Sequence, residues 1–102
     1  MALDFRTVTI NFAPTTGAPG RETATAVFGS TVTKANAALR GFDIRFNNGD
    51  HHILRELVDI DVEQILNNTV RVADDYLLRD STGNIDDPYS GTVEVVVMAD
   101  VA

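Results

Sequence analysis

Residues 92–101 read Thr-Val-Glu-Val-Val-Val-Met-Ala-Asp-Val, and this stretch decides the fold class. Its odd positions, from Val93 to Val101, are all apolar, whereas its even positions mix polar and apolar residues. β-Branched side chains at every second residue are typical of a strand with one face in a core. The stretch therefore predicts a central strand, and the segments before it must supply its neighbours.

The same period of two recurs upstream. Apolar and polar residues alternate in 7–12, 22–28, 58–62 and 70–78. In residues 31–46 the apolar positions are odd up to Leu39 and even from Phe42. A one-residue change of face beside a glycine, here Gly41, is typical of a β-bulge. This segment is either one long bulged strand or two strands with a kink.

The spacing of these segments predicts an all-β fold, a small antiparallel β-sandwich of six or seven strands. A chain of 102 residues is expected to form one domain, residues 1–102. No segment has the pattern of a convincing helix, and no internal repeat is visible.

The loop at Asn67-Asn68-Thr69 sets the register of its two flanking strands. A two-residue turn would pair Leu66 with Thr69, an apolar position with a polar one. The apolar faces therefore predict a three-residue loop that pairs Leu66 with Val70. In that loop Asn68 takes the positive φ, which asparagine tolerates.

This register places Asp74 on the apolar face, opposite Val62. A buried carboxylate needs a charged partner or hydrogen bonds. The sequence thus predicts that Asp74 lies either near an arginine or at the margin of the sheet.

The charge and the cysteine content exclude several classes of partner and of chemistry. The net charge is -7, and residues 46–102 hold twelve carboxylates against three arginines. Nucleic acids and anionic membranes are poor partners for such a chain, because phosphate binding needs clustered cations. The chain has no cysteine, which excludes disulfides, thiol nucleophiles and cysteine-ligated metals.

No motif predicts catalysis or targeting. The sequence lacks a nucleophile elbow, a phosphate-binding loop and a dinucleotide fingerprint, so we expect that the protein is not an enzyme. Neither a signal peptide nor a membrane-spanning segment is predicted. The sequence assigns no location, and its features are compatible with a protein that is cytoplasmic at synthesis or associated with a virion.

The polar loop at residues 80–91 is a candidate calcium site. Hard oxygen ligands of the kind that calcium prefers come from Asp80, Asn84, Asp86 and Asp87. The pattern departs from an EF-hand loop, since no glutamate closes it and its glycine precedes Asn84. The alternative, which the composition favours, is a turn whose Asp and Asn side chains cap their own backbone.

Two loops are candidate ligand-binding sites. The first contains Asp50, His51 and His52, and the second contains Asp86, Asp87 and Tyr89. Adjacent histidines on a strand point to opposite faces, so the pair is not expected to chelate one metal. An acidic side chain beside an imidazole or an aromatic ring suits a sugar hydroxyl.

Val96 and Met98 are candidate interface residues. They make the closing strand apolar on both faces, and such a strand often completes its burial against a neighbouring subunit. The alternative is that the N-terminal segment covers both side chains.

Four segments together resemble the H-type lectin domain. They are Ala38-Leu39-Arg40-Gly41-Phe42-Asp43-Ile44, Val58-Asp59-Ile60-Asp61-Val62, Val70-Arg71-Val72 and Val93-Glu94-Val95-Val96-Val97-Met98-Ala99. The resemblance spans about residues 35–101. It implies a six-stranded sandwich that binds an N-acetylgalactosamine-type sugar and assembles as a trimer or hexamer. The family's pattern has several tryptophans and this chain has none, so a sugar platform would depend on Tyr89 or a phenylalanine.

The sequence therefore supports two functional hypotheses. The first is a non-catalytic, lectin-like carbohydrate-binding module that acts as a homo-oligomer. The second is a structural protein, such as a phage or capsule component, whose function is its assembly. Partners are then other copies of the chain and glycans, and calcium is the one candidate cofactor.

Overall fold

The computed structural model describes residues 2–16, 19–47, 53–80 and 87–102. These residues form strands and no helix, which confirms the all-β prediction. The strands are β1 (Ala2–Thr15), β2 (Gly20–Val27), β3 (Val32–Phe46), β4 (Ile53–Leu66), β5 (Thr69–Asp80) and β6 (Tyr89–Val101). No helix in the described ranges has the length and apolar character needed to cross a membrane.

The strands form two antiparallel three-stranded sheets. Sheet A has the order β1-β6-β3, and sheet B has the order β2-β5-β4. The Cα positions extend over 51 × 18 × 18 Å, because long strands of both sheets follow one axis. The predicted central strand, β6, is indeed central in sheet A, and β5 takes the same place in sheet B.

The core lies between the sheets. The odd positions of β6 from Val93 to Val101 are all buried, as the valine pattern predicted. Sheet B contributes the even positions of β5, and the outer strands add apolar side chains at the same period. The buried hydrophobic cluster comprises Ile10, Phe12, Ala26, Phe28, Val32, Val70, Val72, Tyr76, Leu78, Tyr89, Val93, Val95, Val97, Ala99 and Val101.

β3 is one long strand with a bulge where the change of face predicted it. Leu39 pairs with Val95, and Gly41 pairs with Glu94, so Arg40 is the additional residue. The bulge lets apolar side chains face sheet B both before and after residue 40. Of the two sequence alternatives, the single bulged strand is correct.

The predicted β4–β5 loop is wrong. Leu66 pairs with Thr69 across a two-residue turn, and Asn67, with φ of 55°, takes the left-handed conformation in place of Asn68. The register shift between Val62 and Gln64 restores the match of apolar faces on the two strands. The bulge at residue 63 changes the face of β4 by one residue, so the two-residue turn is compatible with the apolar pattern.

Candidate functional site

The outer face of sheet A presents side chains that do not enter the core. The even positions of β6 point outward, flanked by β1 on one side and β3 on the other. Met98 lies between Phe5 and Asn36, and Asp100 lies between Leu3 and Lys34. Two neighbouring rows therefore combine apolar groups with an amide, a carboxylate and an ammonium group.

These two rows border a shallow trough of about 440 Å³, within the range of small-molecule sites. Its lining residues are Leu3, Lys34, Ala35, Asn36, Met98 and Asp100. Leu3 is 66% exposed and Phe5, beside the trough, is 52% exposed. The outer face of sheet A therefore has exposed apolar side chains next to polar ones.

The polar groups of the trough are available to a ligand. The backbone N–H of Ala37 donates to Asn36 Oδ1 at 3.0 Å, which fixes the amide and leaves Nδ2 as a donor. Lys34 and Asp100 lie in one row, yet no ion pair within the described residues joins them. The trough thus offers donors and an acceptor around an apolar floor.

The N-terminal segment lies beside Val96 and Met98 and does not cover them. β1 is a strand of the same sheet, in which Thr7 pairs with Val96 and Phe5 pairs with Met98. Both β6 side chains stay partly exposed on the outer face. Of the two sequence alternatives, coverage by the N-terminal segment is therefore wrong, and the subunit interface stays a prediction.

The outer face of sheet B carries an acidic cluster. Carboxylate oxygens of Asp59, Asp61 and Asp75 lie within 4.8 Å of one another. Arg21 compensates Asp75 through an ion pair of 2.7 Å, and it also reaches Glu63 at 3.2 Å. No cation in the described chain pairs with Asp59 or Asp61. The edge of β4 is therefore locally negative.

Asp74 is the most deeply buried carboxylate in the described chain. It lies on the inner face of the central strand β5, opposite Glu22 on β2 and Ile60 on β4. Neither carboxylate oxygen makes a hydrogen bond. Asp74 is on the apolar face as predicted, but the predicted partner, Val62, is wrong, because the bulge moves the register.

Both predicted environments for Asp74 are wrong as well, since it is neither near an arginine nor at a margin. Desolvation raises the pKa of this carboxyl to about 6. The negative charges of Asp75 and Asp59 raise the pKa further. The backbone N–H of Asp59 makes no hydrogen bond of normal geometry to this carboxyl, and it lowers the pKa by less than the other effects raise it. The protein thus keeps an ionisable group in its core at a cost in stability.

Most of the sequence-predicted loop sites lie outside the described residues. Asp50, His51, His52, Asn84 and Asp86 are all in this group. Asp80, a predicted calcium ligand, is buried at the end of β5, and Asp87 is half-buried. The calcium site stays a prediction.

Tyr89 corrects the predicted sugar platform. It is only 1% exposed, and its ring packs edge-on against Phe12 and Tyr76, with centroids at 6.0 and 6.4 Å. Burial also raises the pKa of its phenol. Tyr89 is an odd-numbered residue of β6, and the odd-numbered side chains of this strand point into the core. Its ring is therefore not accessible to a sugar.

Sequence reasoning missed the trough because its residues come from three strands. Leu3, Asn36 and Asp100 become neighbours only through the β1-β6-β3 strand order. One signal was present, since the even positions of residues 92–101 are only partly polar. That signal identified Met98 but could not identify its neighbours.

Comparisons with known proteins add no family to this description. No protein-family model, no curated protein and no solved structure matches the chain.

Proposed function

We propose that this chain is a non-catalytic, lectin-like carbohydrate-binding module that acts as a homo-oligomer, with the trough on sheet A as its sugar site. The observation that carries the proposal is the trough's composition. An apolar floor of Leu3 and Met98 lies beside the donor and acceptor groups of Asn36, Lys34 and Asp100.

A pyranose ring needs this combination. Its C–H face packs on apolar or aromatic groups, while its hydroxyls need directional hydrogen bonds. Phe5, half-exposed on the neighbouring strand, can stack on such a ring. Asn36 Nδ2 and Lys34 can donate to hydroxyl or carbonyl oxygens, and Asp100 can accept from a hydroxyl or an amide N–H.

An acetamido sugar fits this site better than a simple hexose. Its methyl group would occupy the apolar floor, and its carbonyl would accept from Asn36 Nδ2. This is also the sugar class that the H-type lectin resemblance implies. The proposal differs from the sequence prediction in location, because it assigns the sugar site to the face of a sheet and not to the two loops.

A glycan array with two matched asparagine variants tests the proposal. Asn36→Ala removes the donor in the trough, and we expect glycan affinity to fall by about tenfold, the effect of one hydrogen bond in a partly dry site. Asn11→Ala is the control, because Asn11 lies on the same outer face, paired with Thr92 and away from the trough. Equal binding by both variants would exclude the trough.

The second candidate function is assembly alone, with this same face as the interface. One observation favours it: the apolar surface continues from Phe5 and Met98 to Val96 and Ala38, beyond the trough. In that case Met98→Glu or Val96→Asp should reduce the particle mass in native mass spectrometry to that of a monomer. Glycan arrays would then stay blank for the wild-type protein as well.

A further inference from the structure

The two layers of the sandwich meet along two long sides, and these sides differ. We call the side between β1 and β2 the closed seam and the side between β3 and β4 the open seam. In the closed seam, Ile10, Phe12, Ala26 and Phe28 are all buried. Arg6 seals it further, since its Nε donates to the Val27 carbonyl at 3.0 Å and its guanidinium lies 4.9 Å from the Phe28 ring centroid.

The open seam leaves core-phase side chains in water. Leu39 and Phe42 pair with the buried residues Val95 and Val93, so both lie in inward positions of β3. They are nevertheless 41% and 47% exposed, and Ile65 on β4 is 39% exposed. Apolar residues that face the core but stay open on one side indicate a missing neighbour.

The strands that flank the open seam carry opposite charge. β3 holds Lys34, Arg40 and Arg45 against Asp43, whereas β4 holds Glu56, Asp59, Asp61 and Glu63 against Arg55. Arg40 is the bulged residue, and its side chain is 60% exposed although it forms a 3.5 Å ion pair with Glu94. Each copy thus presents a positive edge and a negative edge on the same side.

We propose that the open seam is a dimer interface that accepts the open seam of a second copy, with β3 of each copy against β4 of the other. The inference gives a surface to the homo-oligomer of the proposed function and makes no use of the sugar site. A two-fold axis parallel to the strands produces this arrangement and buries the same patch on both copies. Each layer then extends from three strands to six.

Strand direction and charge both select this axis. Within the sheets, β1 is parallel to β3 and β2 is parallel to β4. Phe12 stacks on Tyr76, the pairing partner of Gly20, whereas Arg6 reaches Val27, so β1 and β2 are antiparallel, and so are β3 and β4. β3 therefore meets the partner's β4 in antiparallel fashion, as within each sheet. A two-fold axis perpendicular to both layers would instead place β3 beside β3 and β4 beside β4. Like charges would then meet along both edges, which is unfavourable.

The alignment of the two sheets within one copy identifies the charged side chains that would meet across the interface. Phe12 and Tyr76 stack with centroids 3.8 Å apart, so the row through Ile44 lies level with the row through Val58. Phe42, two residues before Ile44 on β3, is level with Ile60, two residues after Val58 on β4. The next position in the same direction places the bulged Arg40 level with Asp61. Because Asp61 has no cation within the described part of its own chain, the partner's Arg40 supplies the counter-charge.

Charge exchange at these two positions tests the inference. Sedimentation velocity and native mass spectrometry should find that Arg40→Glu and Asp61→Arg each abolish the two-fold interface, so the particle mass falls by half. Within a homodimer of either variant, like charges face each other at both contacts. An equimolar mixture of the two single variants should recover the dimer, since each cross-contact then joins opposite charges. The double variant R40E/D61R should dimerise alone.

Controls separate this result from misfolding and from the sugar site. Val27→Glu adds a carboxylate at an exposed position beside the closed seam and should leave the mass unchanged. Glycan binding per chain should persist in Arg40→Glu, so failure of the dimer and failure of the sugar site are distinguishable. The inference is overturned if the wild-type protein is a monomer at every concentration, if Arg40→Glu keeps the full mass, or if the mixture does not reassociate.

Discussion

Asp74 should make the stability of this protein decrease as the pH rises through mild acid. The carboxylate is buried between the sheets, and neither oxygen makes a hydrogen bond. Its pKa is raised from 3.8 to about 6, chiefly by desolvation. The folded state therefore binds this proton more tightly than the unfolded chain does.

The size of the effect follows from the shift. A change of about two pKa units corresponds to about 3 kcal/mol. Between about pH 4 and pH 6 the folded state holds more protons than the unfolded state, so the free energy of unfolding falls as the pH rises. Below about pH 4 both states are protonated, and above about pH 6 both are ionised, so the contribution is constant in each range.

Asp74→Asn isolates this contribution, because the amide keeps the shape of the side chain but does not titrate. Urea unfolding of both proteins at several pH values gives the difference in unfolding free energy between variant and wild type. We expect that difference to move in favour of the variant by about 3 kcal/mol between pH 4 and pH 7. A difference that is independent of pH, or one that moves in favour of the wild type, would refute a desolvated, unpartnered Asp74.

Three further predictions concern the backbone and the candidate calcium loop. Gly91→Ala should destabilise the fold by about 1–3 kcal/mol, because the new Cβ would lie 2.6 Å from the Asp43 carbonyl oxygen; Gly29→Ala, with nothing within 4 Å, is the control in the same urea assay. Asn67→Gly should change stability by only a few tenths of a kcal/mol, whereas Asn67→Val should cost about 1–2 kcal/mol at a φ of 55°. Calcium should leave the thermal midpoint unchanged, since the loop at 80–91 departs from known calcium loops; a rise with calcium that a chelator reverses would establish the predicted site.

Local pattern predicted the strands well, because a half-buried strand repeats with period two whatever lies beside it. The change of phase at Gly41 predicted a bulge, and β3 has one at Arg40. The same reasoning failed at the β4–β5 turn. There the turn type and the bulge at residue 63 compensate each other, and only the whole hairpin shows which combination the chain adopts.

The candidate site could be predicted only in part, because strand order is a property of the whole fold. Met98 was identified from the apolar even positions of the last strand, but as an interface residue and not as part of a ligand site. Asn36 and Leu3 were not, since they join Met98 and Asp100 only when β1 and β3 flank β6. Tyr89 was assigned to a loop surface, although its odd position already placed it on the inward face of β6.

The most direct test of the proposed function is an NMR titration of the isotope-labelled protein with N-acetylgalactosamine. We predict that the amide signals of Lys34, Asn36, Met98 and Asp100 shift together, along with the side-chain amide of Asn36. Signals from residues 47–52 and 80–89 should remain in place. Shifts confined to those loops, or no shift at millimolar sugar, would contradict a sugar site on the outer face of sheet A.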